Sequence, residues 1–207
     1  MKHRILFLCL LALLFVNCCP ITSVHPLKPH ADETMTGLSG IWQLESREDK
    51  VFLHIGRSEQ KQWRILLAEH KEDGTLAHAD FGVTTASIAQ KHYMNLDLAE
   101  LSPSLREGHE GNVILEVALT DGYTLHLSRM NLDAIASAIG AGALAGEIIY
   151  DDTAVSSAQN EKKLRGRKIQ CARITADSAA LRGFLSRSTD PGLFTPYLTF
   201  KRVACIP

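Results

Sequence analysis

Nine histidines and several close acid pairs are the residues of this 207-residue chain whose types could do chemistry. A protein metal site needs three or four converging ligands, and on one helix or strand that means ligands two or four residues apart. His3 lies near the start, and His25 and His30 lie in a proline-rich stretch. His54, His70, His78, His92, His109 and His126 are scattered without such spacing. His54 and His126 could meet only across the interior of a barrel, and only if both point inward. No metal ligand and no cofactor is assigned. The acid pairs, Glu45 with Glu48 and Asp49, and Asp151 with Asp152, fall where turns and loops are expected, so solvated carboxylates are the simpler reading than a two-carboxylate hydrolase. The chain has no Gly-x-Ser-x-Gly elbow, phosphate-cradling glycine loop or Cys-x-x-Cys. The glycine-rich run at 139–146 follows a helical pattern rather than a strand, the reverse of a dinucleotide site. No catalytic residue is assigned, and the expectation is a protein that is not an enzyme.

The remaining reactive side chains are cysteines, and their positions speak of compartment. Lys2 and Arg4 precede a uniformly apolar run from Ile5 to Val16, too short to span a bilayer but right for the core of an export signal. Residues 1–18 are therefore read as a signal peptide. Cys18 and Cys19 follow that core directly, which resembles a bacterial lipoprotein signal. The resemblance implies a lipid on Cys18 or Cys19, a membrane anchor, and a place in the periplasm or on the outer membrane. Asn17 departs from the small residue such signals carry, and ordinary cleavage with Val16 and Cys18 at the small-residue positions stays open. In an oxidising compartment Cys171 and Cys205 can form a disulfide if their Cα atoms come within about 7 Å; two separate thiols are the alternative.

Charge is balanced, with 22 basic and 23 acidic residues, and loss of Lys2 and Arg4 makes the exported chain slightly more acidic. That gives no general nucleic-acid surface. The one basic cluster, Lys162, Lys163, Arg165, Arg167 and Lys168, sits in a polar stretch and reads as a solvated loop.

Residues 19–37 carry three prolines and no apolar periodicity, the pattern of a flexible spacer before a single domain over 38–207. Period-two alternation then dominates. Val51, Leu53 and Ile55 share a face, as do Trp63, Ile65 and Leu67; Phe81–Ile88 is a weaker strand, and Met94, Leu96 and Leu98 share a side. The clearest hairpin runs from 112 to 130: Val113, Leu115, Val117 and Leu119, then Asp121-Gly122, then Tyr123, Leu125 and Leu127. The period changes after Asn131, a helix N-cap, to a face of Leu132, Ile135, Ala136 and Ile139. Residues 145–150 and 168–175 return to strand, with Ile169, Cys171 and Arg173 on one side of the second. Asp177 caps a second helix with Leu181, Phe184 and Leu185, and residues 197–204 close the chain as a strand. Nine or ten short strands with two late helices predict a mainly β, up-and-down antiparallel barrel; a two-sheet sandwich is the rival.

Gly40-Ile41-Trp42 opens the first strand. This Gly-x-Trp resembles that of the lipocalins and related calycin barrels, and the pattern looks closer to the small lipocalin-like envelope proteins of bacteria than to the large ligand carriers. The resemblance implies that Trp42 closes the narrow end of the barrel, with Arg202 or Lys201 packed over its ring. A plain core aromatic at a strand start is the alternative. Two functional classes follow. In one, the barrel holds a small apolar ligand or lipid, lined by Leu53, Ile65, Leu67, Leu115, Val117, Leu125 and Leu127. In the other, the same residues fill a dry core and the domain is an anchored interaction module. Oligomeric state is left open.

Overall fold

The structure, a computed structural model, describes residues 21–28, 37–45, 50–60, 62–70, 74–101, 111–150 and 168–203. Eight strands form a ring: β2 (Gly40–Leu44), β3 (Lys50–Arg57), β4 (Trp63–His70), β5 (Leu76–Ile88), β6 (Lys91–Asp97), β7 (Asn112–Thr120), β8 (Thr124–Met130) and β11 (Phe194–Arg202). Each pairs antiparallel with the next, β6 pairs with β7, and β11 returns to β2. This is a closed, mainly β antiparallel barrel rather than a sandwich, an architecture compatible with a lipocalin-like fold. Followed around the ring from Trp42 to Leu53, Leu67 and Ala79 and onward, the regular pairings return to β2 about twelve residues beyond the start, the stagger of a wide, steeply tilted barrel.

Local chemistry sets these elements. In the β7–β8 hairpin, Asp121 and Gly122 take φ of 54° and 75°, the positive values that a twist-matched hairpin turn needs. Tyr123, expected in the strand, belongs to this turn and is exposed. Pro196 in β11 pairs with Ser128 of β8 beside a register shift, the kind of position where a strand tolerates a missing N–H. A short helix not expected from the sequence, α1 (Leu98–Leu101), follows β6; Leu98 turns into the barrel interior and the Glu100 carboxylate accepts from the Gly82 N–H at 2.8 Å.

The meander is not continuous. Between β8 and β11 the chain leaves the ring to build α2 (Leu132–Gly140), β9 (Gly146–Tyr150), β10 (Ile169–Ile174) and α3 (Ser178–Arg187). Asn131 caps α2 through the Asp133 and Ala134 N–H groups, and Asp177 caps α3 through that of Ala180. These elements cover the outside of the barrel along β5 to β8 and form a second core. Ala86, Ile88, Tyr93 and Ile114 enter it from the barrel's outer face, and Ile135, Ala172, Ile174 and Leu181 meet them. On β10 the buried side is Ala172 and Ile174, while Ile169, Cys171 and Arg173 stand half-buried opposite.

The expected spacer needs correction. Within it, β1 (Thr22–Ser23) pairs parallel with β10 and antiparallel with Asn112 of β7, and Leu27 is completely buried. Long-range pairing overrides a proline-rich composition here, so the folded domain includes residues 21–28 and does not begin at Leu38. Residues 1–20, and with them the expected signal peptide, Cys18 and Cys19, lie outside the described residues.

Candidate functional site: the barrel interior and its closed end

Gly40 opens β2 with φ of 152°, a backbone state that favours glycine. Two residues on, Trp42 points inward and is fully buried, its indole N–H donating to the Leu38 carbonyl at 3.0 Å. Register places Arg202 of β11 directly across from Trp42. Its guanidinium carbon lies 4.4 Å from the ring centroid, and Nη2 donates to the Gly37 carbonyl. Arg202 therefore takes the position over the ring and Lys201 does not: one residue earlier, Lys201 points to the other side and donates to Thr124 Oγ1 at 3.0 Å. Gly40, Trp42 and Arg202, proposed together from sequence, are brought together at one end of the barrel.

The seven expected wall residues, Leu53, Ile65, Leu67, Leu115, Val117, Leu125 and Leu127, all face the interior and are all buried. Sequence reasoning left out Phe81, Val83, Met94, Leu96 and Phe200, which share that interior. Their signal is cross-strand: Leu67 faces Ala79 and Val83 faces Leu96, so the phase of a clear strand passes to a weaker neighbour. The wall closes tightly, with Trp42, Met94, Leu115, Leu125 and Phe200 each no more than 2 % exposed.

At the Trp42 end lie the end of β3 and the turns at 89–90 and 121–123; at the other end lie the ends of β2, β4 and β6. Two ionisable side chains missed by sequence reading stand in the inward phase near that second end. Glu69 pairs with Val51, and Arg129 pairs with Leu115 and lies over Tyr197, 5.0 Å from its ring centroid. Burial pushes the Tyr197 hydroxyl pKa up, and the nearby Arg129 charge offsets part of that rise.

The two histidines that could have converged do not. His54 and His126 both point outward; His54 pairs with Ile41 and Leu66 on the outer face, and His126 Nδ1 lies 3.3 Å from Thr199 Oγ1. Their phase opposite the apolar set is the reason. His54 instead borders a shallow external furrow of about 450 Å³ with Ile41, Leu66, Arg57, Arg64 and Asp80. Arg64 is held by Asp80 at 3.0 Å and Arg57 lies over Trp63. Ser87 and His92, cross-strand partners on the β5–β6 hairpin, share a 2.8 Å hydrogen bond. Among the described residues no group of three His, Cys, Asp or Glu side chains is placed to hold a metal ion. Cys171 is half-buried on β10, while Cys205, His109, the acids at 48–49 and 151–152 and the basic residues at 162–167 lie outside the described residues.

Scanned against models of protein families and against curated proteins, the chain matches none.

Proposed function

We propose that this protein is an exported, lipocalin-like barrel of the bacterial cell envelope that takes a small apolar molecule or a lipid into its interior, and that it performs no catalytic step. The observation that carries this reading is the closed eight-stranded ring whose inner wall is apolar except for Glu69 and Arg129 toward one end, with Arg202 lying over Trp42 toward the other. An apolar wall gives affinity without directional contacts, and a plug at one end leaves the other for access. The wall side chains pack on one another, and a ligand is accommodated by their rotation.

Export rests on Lys2, Arg4 and the apolar run that follows, and anchoring on Cys18 and Cys19. Ile21 is already buried in the second core, so a lipid on Cys19 would hold the domain close against its membrane instead of on a long tether. A disulfide between Cys171 and Cys205 belongs to the same compartment assignment. The denatured mass of protein taken from envelopes tests all three at once. It should show loss of the signal, an acyl addition and two hydrogens missing. A full-length, unmodified mass would overturn the location.

A second reading is favoured by the tight wall itself. If the interior never opens, the barrel is a rigid module that works through its outside surface. Titration with an apolar fluorophore separates the two. The first reading gives saturable binding at one probe per barrel with energy transfer from Trp63, reduced in Trp63→Phe without loss of binding. The second gives no saturable signal.

A further inference from the structure

The ring has no edge, because β6 and β7 close it, but the sheet that branches from it does. β1 lies between β7 and β10, and β10 between β1 and β9; among the described residues β9 (Gly146–Tyr150) is the last strand and pairs on one side only. Proteins blunt such edges with lysine, proline or a bulge, because the open row of N–H and C=O groups invites another strand. β9 reads Gly-Glu-Ile-Ile-Tyr, with no lysine or proline and one charge, Glu147; it pairs regularly with β10 from Gly146 to Ile149, and the ladder shifts register only before Tyr150. Ile149 is 42 % exposed on it.

We propose that this edge pairs with β9 of a second copy of the chain, antiparallel, about a two-fold axis through Ile148. Water satisfies an exposed strand edge group by group, whereas another extended strand satisfies it along its whole length. The sequence of β9 is self-complementary in this register. Ile148 faces Ile148 of the other copy, Gly146 faces Tyr150, and Glu147, the one charged residue of the strand, faces Ile149. A two-fold axis through Glu147 would set two carboxylates opposite each other, and one through Ile149 would pair only three residues of each strand, so charge and length together select the Ile148 register. Five residues per copy make a small interface, which gives a weak, concentration-dependent dimer. The inference does not depend on whether the barrel interior binds a ligand.

Sedimentation equilibrium of the purified protein, from micromolar to near-millimolar concentration, tests it with two variants. The wild-type chain should shift from monomer toward dimer as concentration rises. Ile149→Lys, which puts a charge on the exposed edge and should leave the fold intact, should raise the dissociation constant at least about tenfold. Leu76→Lys changes a 54 % exposed side chain on the barrel and should leave association unchanged. A chain that stays monomeric throughout overturns the proposal and leaves the edge to a strand from a different protein. A dimer that Ile149→Lys does not weaken, or that Leu76→Lys weakens equally, overturns it as well.

Discussion

Arg202 and Trp42 are cross-strand partners toward one end of the barrel, and the guanidinium lies over the indole, 4.4 Å from the ring centroid. The same arginine ties down the Gly37 carbonyl, so one side chain joins the last barrel strand to the first and to the chain before it. Trp42→Ala should therefore destabilise the protein by roughly 3–5 kcal/mol, the range for deleting a buried aromatic. Arg202→Met keeps much of the alkyl packing but loses the cation and the hydrogen bond, and should cost about 1–2 kcal/mol. Denaturant midpoints at constant m-value measure both. A loss below about 1 kcal/mol for Trp42→Ala would mean that the ring is not a plug.

Asn95 makes a second unusual bond across the fold. Its side chain sits between the buried Met94 and Leu96, on the opposite face of β6. Its Oδ1 accepts from the Leu27 N–H at 2.8 Å, and its Nδ2 donates to the Leu27 carbonyl at 3.1 Å and to Thr84 Oγ1 at 2.9 Å. Asn95→Ala leaves two buried backbone groups unpaired and should cost about 2–4 kcal/mol. Hydrogen exchange over residues 21–28 should quicken in this variant, while the β7–β8 hairpin stays protected. Unchanged exchange over 21–28 would mean that this segment is held by something else.

The contrast between these two sites explains what the sequence made legible. Period-two alternation places Leu53, Ile65 and Leu115 on one face without reference to any partner, and Asp-Gly marks a turn by its own backbone preference. Gly40-x-Trp42 with a basic residue near the end of the chain is likewise a local signal at each end. The side layer has no such signal. Tyr93 and Ile114 look like occupants of a barrel's outer, solvated face until β1, β10 and the helices are known to cover them. A two-residue strand among prolines cannot announce a partner in β7 that lies far along the chain. Asn95 reads as an ordinary polar alternation, and only the docked backbone of Leu27 gives it a task.

Gly122 tests the turn on its own terms. Its φ is 75°, and a methyl group added there would meet nothing within 4 Å. Gly122→Ala should thus cost roughly 1–2 kcal/mol through backbone strain alone, with no packing contribution. A substitution without effect would place the hairpin register elsewhere.

Tyr93 gives the pH dependence a sign. Burial, helped by the Glu116 carboxylate, pushes its hydroxyl from the ordinary value of 10.0 up to about 12. The folded state thus favours the neutral phenol. The resulting stability is fully present below pH 10 and is lost as pH rises from 10 toward 12, because the unfolded chain gives up its proton first. The loss should be on the order of 2 kcal/mol. Tyr93→Phe should flatten that alkaline fall. An unchanged alkaline limb would assign the fall to other groups.

The central claim is that the interior of the barrel holds a small apolar molecule, and the most direct measurement is a native mass spectrum of protein released gently from envelopes. The spectrum should show a discrete added mass, one molecule per chain, that disappears on denaturation and partitions into organic solvent. A native mass equal to the denatured mass, from protein that also fails to bind an apolar probe saturably, would contradict it and make the barrel a filled, rigid module.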